Sequence, residues 1–210
     1  MKKNKAMRLA SALLVLTLLT TCAISSTFAK YVTKAEGKDT ARVAKFGVTV
    51  TAIDNAFSTV YDSENSATVK SSNEENVVAP GTKGSFAPAT VTGQPEVSVK
   101  VTNEGTVELG DNWIVDGEYY CPLEVTVGNT TLKGTTFANV GAFENAIKEA
   151  IDGTTKTYAP GTDISGNEST PAISWEWAFE RNDDAKDTVL GNAANATISI
   201  TVTTTVTQVD

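Results

Sequence analysis

The sequence predicts a mainly β protein: a jelly-roll-like antiparallel β-sandwich with one short inserted helix, preceded by a signal-peptide helix. Three observations lead there. Short runs alternate apolar and polar residues, turns rich in Gly and Pro separate them, and one stretch alone has three- and four-residue apolar spacing. The chain has 210 residues, and the roughly 180 that follow the leader suit one domain.

Lys2, Lys3, Lys5 and Arg8 form a basic head, and Ala10 to Ile24 is an almost uncharged apolar run. Thr27-Phe28-Ala29 then offers small residues at both positions that a signal peptidase reads. This is the three-part layout of a secretory signal, with cleavage between Ala29 and Lys30. An uncut membrane anchor is the alternative, but the run is shorter than the ~20 residues a spanning helix needs. Leu19-Thr20-Thr21-Cys22 loosely resembles a lipobox, yet Thr21 stands where a smaller residue is the rule. The organisation expected is a secretory signal over 1–29, a flexible N-terminal arm over 30–40 and the sandwich over 41–210.

Without residues 1–29 the chain keeps 13 basic against 25 acidic residues, a net charge of −12. Such a balance favours solubility and disfavours nucleic acid and anionic membrane surfaces as partners. Cys121 is the only cysteine after the leader, so no intramolecular disulfide forms. It sits in Tyr119-Tyr120-Cys121-Pro122-Leu123 and reads as a buried thiol acting as a small hydrophobe. The chain has no histidine. That excludes Ser-His-Asp and Cys-His catalysis, His-containing zinc sites and the HExxH helix. No pair of acids stands out as a general acid and base, so no enzyme and no cofactor are expected.

After the polar segment Lys30–Thr40, Arg42 to Ala52 alternates and reads as a strand with its core face on Ala44, Phe46, Val48 and Val50. Asp62 to Asn76 is rich in Ser, Asn and Glu and reads as an exposed loop. Val77 to Thr82 is a short strand entering a Pro80-Gly81 turn. Ser85–Thr92, Glu96–Thr102 and Thr106–Leu109 are further strands, with Asn103-Glu104-Gly105 as a hairpin turn. Tyr119 to Val127 is a strand, joined through Gly128-Asn129 to a partner at Thr130–Lys133.

Phe137, Val140, Phe143, Ala146, Ile147, Ala150 and Ile151 recur at helical spacing, and Gly153 stops the run. A Glu144/Lys148 pair supports the exposed side. Tyr158-Ala159-Pro160-Gly161-Thr162 echoes Val78-Ala79-Pro80-Gly81-Thr82, which predicts the same type of turn twice. Ile173 to Phe179 puts Ile173, Trp175, Trp177 and Phe179 on one face, a core stripe. Ala196 to Val206 is a long terminal strand with Ile198, Ile200 and Val202 inward and a threonine-rich face outward. Long terminal strands leave edges that a protein must protect or use.

Two acidic clusters are candidate oxygen donors for calcium: Asp111-Asn112 with Asp116 and Glu118, and Asn182-Asp183-Asp184 with Asp187. Neither has EF-hand spacing, and solvated turns are the alternative.

Thr27-Phe28-Ala29-Lys30-Tyr31, followed by Lys38-Asp39-Thr40-Ala41-Arg42-Val43-Ala44-Lys45-Phe46-Gly47-Val48, resembles the start of proteins matured by a SipW-type signal peptidase. These are the TasA/camelysin (CalY) surface proteins of Gram-positive bacteria. Ile173–Phe179 is similar to that family's late W-x-W/F strand. Asp187-Thr188-Val189-Leu190-Gly191 and the closing Val/Thr strand fit its clostridial members. The resemblance implies a jelly-roll subunit, secreted to the extracellular matrix or cell surface and built into biofilm fibres.

In the TasA type the freed N-terminal segment, here beginning Lys30, Tyr31, Val32, Thr33, inserts as a strand into the next subunit. Such β-augmentation is head-to-tail and does not close, so it makes a filament. The partners implied are further copies of the chain, a SipW-type signal peptidase and other matrix proteins. Camelysin carries a metalloendopeptidase name, but without histidine that activity does not carry over. A non-polymerising surface binding module is the second reading, and it gains if Trp113, Tyr119 or Tyr120 line an open face.

Overall fold

The computed structural model describes residues 4–27, 41–53, 57, 76–166, 169–179, 183–193 and 196–209. The chain divides into two compact units, Met1–Arg42 and Val43–Asp210. In the first, Lys5–Thr27 forms helix α1. Ala and Leu favour it, and the hydroxyls of Ser11 and Thr17 fold back onto the Met7 and Leu13 carbonyls, each at 3.0 Å. Among the described residues no helix is long and apolar enough to cross a membrane.

The second unit is mainly β and its sheets are antiparallel. Its elements in order are β1 (Val48–Ala52), β2 (Lys83–Phe86), β3 (Ala89–Gly93), β4 (Val99–Leu109), β5 (Ile114–Val115), β6 (Glu118–Tyr119), β7 (Glu124–Val127), β8 (Thr130–Lys133), α2 (Val140–Asp152), β9 (Lys156–Tyr158), β10 (Ile173–Glu176), α3 (Asp184–Gly191) and β11 (Ile198–Gln208). The sheets run β1-β3, β2-β10-β7-β8, β11-β4-β9 and β5-β6.

Most of the core lies between α2 and the strands around it. Phe143, Ile147 and Ile151 are buried with Leu123, Val125, Ile173, Trp175 and Trp177. Asn139 caps α2, its Oδ1 accepting from Ala142 N at 2.8 Å, and Gly153 stands at the other end. A smaller cluster joins Val91, Val99, Val101, Tyr158 and Ile164, with Val48 and Val206 at its margin. Cys121 is buried.

The two Ala-Pro-Gly-Thr segments are the same turn. Gly81 and Gly161 have φ of 88° and 75°, and the amides of Thr82 and Thr162 donate to the carbonyls of Ala79 and Ala159 at 3.0 and 3.2 Å. That is a type II turn, with Pro presetting one position and Gly taking the positive φ of the next.

Several expectations are corrected. Asn103-Glu104-Gly105 is no turn but the middle of β4, which runs unbroken for 11 residues against β11. The three residues look like a turn in sequence because Asn103 is buried for another purpose. Its amide donates to Thr154 Oγ1 at 3.1 Å and accepts from Thr204 Oγ1 at 2.7 Å.

The strand expected over Ser85–Thr92 breaks at Ala87-Pro88, where the chain leaves one sheet for another. The one expected over Tyr119–Val127 breaks at Cys121-Pro122. Proline cannot donate to a ladder, which explains both breaks. The first strand starts only at Val48, because Gly47 takes a φ of 56°.

This unit holds a second helix, α3, in addition to α2, so the inserted helix is not alone. Phe179 lies outside the core stripe and is 53% exposed. Lys148 pairs with Asp152 rather than Glu144, and Glu144 Oε1 instead accepts from Leu109 N at 2.6 Å. The loop expected at Asp62–Asn76 lies outside the described residues except for Asn76.

Candidate functional site

β11 reads Ile-Ser-Ile-Thr-Val-Thr-Thr-Thr-Val-Thr-Gln, and its β-branched residues favour an extended, pleated chain. It pairs with β4 along its whole length, Ile198 opposite Leu109 through Gln208 opposite Val99. At either end of this ladder Gly110 N donates to Thr197 O at 2.8 Å and Val209 N donates to Ser98 O at 2.9 Å. Odd-numbered residues of β11 therefore turn their backbone groups to β4, and even-numbered ones turn theirs the other way.

That other side is open among the described residues. Among the described residues no strand pairs with the amides and carbonyls of Ile198, Ile200, Val202, Thr204 and Val206. The side chains of the same five residues face inward and are only half-buried. From Ile198 to Gln208 there is no charge, proline or glycine. The charge, proline or bulge that protects many edge strands from within is thus missing from this one.

The β1-β3 pair stacks over this end of the sheet. Val91 of β3 is buried with Val99 and Val101 of β4, and Val48 of β1 and Val206 of β11 border the same cluster. Ile53 N donates to Pro88 O and Glu96 N to Lys45 O, both at 2.9 Å, so odd residues of β1 face β3. Val48, Val50 and Ala52 turn their backbone groups to the free edge and their side chains to the inner face. Yet Val50 is 40% exposed, because nothing among the described residues closes the seam. Two unprotected strand edges with half-covered apolar residues between them form the candidate site.

No protein-family model, curated protein or solved structure matches this chain. The open side therefore rests on its own geometry.

Of the residues singled out in the sequence, Ala29, Lys30, Tyr31, Val32 and Thr33 lie outside the described residues. Among the described residues the calcium candidates do not come together, and Asn182 lies outside them. Asp116 and Gly117, with φ of 54° and 84°, form the two-residue turn between β5 and β6. Positive φ at both positions is a type I′ hairpin turn, a structural reason for an Asp-Gly there. Asp111 lies in a separate turn.

Asp183 precedes α3 without a side-chain cap. The Asp187 carboxylate points into the core, accepting from Tyr120 Oη at 2.7 Å and Trp177 Nε1 at 3.3 Å. Among the described residues no three acidic or cysteine side chains converge as metal ligands.

The aromatic candidates for an open binding face are not on one. Trp113 is 1% and Tyr120 6% exposed, and the Trp113 indole donates to Thr197 O at 2.9 Å. Tyr119 is half-buried. Burial pushes its phenol well above the usual range, with Cys121 and then Glu144 adding to the shift.

Sequence reading found the long terminal strand but not the seam beside it. The available signal was the pairing of an apolar inner row in β11 with an incompletely coverable inner row in β1.

Proposed function

We propose that the chain is a secreted structural protein. It would be a jelly-roll-like subunit of extracellular biofilm-matrix or cell-surface fibres, assembled by N-terminal strand donation. Helix α1 belongs to the signal peptide in this reading, and cleavage between Ala29 and Lys30 frees the arm over 30–40. The observation that carries it is the unprotected edge of β11 beside the half-covered inner face of β1. A soluble sandwich that works alone blunts such an edge with charge, proline or a bulge. Here an extended strand from another copy supplies the missing backbone partners and covers Val50, Ile200 and Val202. Donor and acceptor lie on different surfaces, so the contact propagates into a filament.

The test is negative-stain electron microscopy of concentrated chain beginning at Lys30, with and without residues 30–40. Thin regular filaments that disappear with the arm are the expected result. Persistent monomers from the correctly trimmed chain would overturn the reading. The burial of Trp113 and Tyr120 gives no support to the second reading, a surface binding module.

A further inference from the structure

The open side has a charge pattern that selects its occupant, and this inference rests on the fibre reading above. The chain is electrically polarised. Residues 30–46 carry five basic and two acidic side chains, whereas residues 47–210 carry eight basic and 23 acidic. Two sandwich bodies repel one another, which disfavours β11 pairing edge to edge with the β11 of a second copy. Past the leader, the segment 30–46 is the part of the chain with the opposite sign.

The match continues at the level of single residues. Written as a strand, 30–43 places Lys30, Val32, Lys34, Glu36, Lys38, Thr40 and Arg42 on one face. The other face carries Tyr31, Thr33, Ala35, Gly37, Asp39, Ala41 and Val43, mostly small or apolar. The second face suits the half-covered seam. The first then lies on the outer face of the sheet, where its basic residues repeat every four positions.

On that outer face β11 presents only short hydroxyl side chains, Ser199, Thr201, Thr203 and Thr205. One strand further in, β4 presents Glu104 opposite Thr203 and Glu108 opposite Ser199, and the acidic stretch ends at Lys100 opposite Thr207. Both glutamates are exposed, four residues apart, or about 13 Å along the strand. Lys34 and Lys38 have the same spacing. An occupant strand lies about 9.5 Å from β4, two strand spacings away, within reach of a lysine and a glutamate meeting over a row of short side chains. Lys148 is within electrostatic range of Glu104, and neither glutamate forms an ion pair among the described residues.

We infer that Glu104 and Glu108 are specificity-determining residues of the open side. They make β11 accept the basic 30–43 segment of a second copy in preference to another neutral edge, and they make assembly sensitive to ionic strength.

The test measures fluorescence anisotropy of a labelled peptide covering residues 30–43, titrated with chain 30–210 below its assembly concentration. Binding to the unaltered chain should weaken as salt rises from about 0.1 to about 1 M and the Debye length falls from about 10 to about 3 Å. Glu104→Gln with Glu108→Gln should weaken binding about fivefold at low salt and flatten the salt dependence. Both residues are exposed, and circular dichroism checks that the fold is retained. Lys34→Glu with Lys38→Glu in the peptide should restore binding to a chain carrying Glu104→Lys and Glu108→Lys. Equal, salt-independent affinity for all the chains would overturn the charge selection and leave strand donation standing. No binding of the peptide to the unaltered chain at any salt would overturn both.

Discussion

Ile151 of α2 occupies the space that a side chain at Gly105 of β4 would need. A Cβ there would stand 2.9 Å from Ile151 Cδ1 and 3.1 Å from its Cβ. Ile151 is fully buried and has nowhere to move. The same glycine donates its amide to Asp152 Oδ1 at 2.8 Å. Helix and strand thus meet at backbone distance, and the long β4–β11 ladder is seated on the core at this point.

Gly105→Ala should therefore destabilise the protein by about 1–3 kcal/mol through overpacking. Urea unfolding followed by tryptophan fluorescence measures it. A neutral or stabilising result, as expected of a glycine in an open strand, would contradict the close approach.

Asp187 should behave as a structural residue rather than a calcium ligand. Its carboxylate receives the Tyr120 hydroxyl and the Trp177 indole. Asp187→Ala leaves two buried donors unpaired and should cost about 2–4 kcal/mol, whereas Tyr120→Phe removes one bond and should cost about 1 kcal/mol. Melting temperatures with and without calcium check both halves. A rise with calcium that Asp187→Ala abolishes would return the residue to metal binding.

The contrast between Asp187 and β11 shows what was legible in the sequence. Period-two alternation in Ile198–Val206 and helical spacing in Phe137–Ile151 depend on neighbours along the chain, so both elements were readable. Asn103-Glu104-Gly105 and Asp187 depend on partners far away in sequence, namely Thr154, Ile151, Tyr120 and Trp177. Their residue types resemble a turn and an acidic surface cluster until those partners are known. The seam needed two strands about 150 residues apart to be stacked, which no local pattern encodes.

Alkaline pH should unfold the protein partly through Tyr119. Its phenol is raised above the ordinary 10.0, first by burial and then by Cys121 and Glu144. A raised folded-state pKa means that the native state holds its proton more tightly. The contribution is complete below about pH 10 and is lost as pH climbs above it. Tyr119→Phe should flatten the fall in stability between about pH 10 and 12, read by urea midpoints. An unchanged slope would show that the phenol ionises freely.

At acid pH one relevant carboxylate is Asp152, held below its ordinary 3.8 by the Lys148 side chain and then by the Gly105 amide. A depressed folded-state pKa contributes stability above the unfolded value and loses it as pH falls through the folded one. Asp152→Asn should therefore weaken the protein at neutral pH and reduce the acid dependence of its stability below about pH 4. Parallel acid titrations of the two proteins decide it, and superimposable curves would remove Asp152 from the acid response.

The proposed strand addition can be separated from folding with proline at adjacent positions of β11. The amide of Thr203 faces β4, opposite Glu104, whereas that of Thr204 faces the open side. Thr203→Pro removes a ladder bond and should destabilise the monomer by about 2 kcal/mol or more. Thr204→Pro removes an outward amide, as edge strands tolerate, together with the hydroxyl that bonds Asn103, so its reference is Thr204→Val, which loses that bond alone. It should leave the melting temperature close to that of Thr204→Val while preventing the filaments that Thr204→Val still forms. Filament formation by Thr204→Pro at the rate of the unaltered chain would mean that subunits join elsewhere than at the β11 edge.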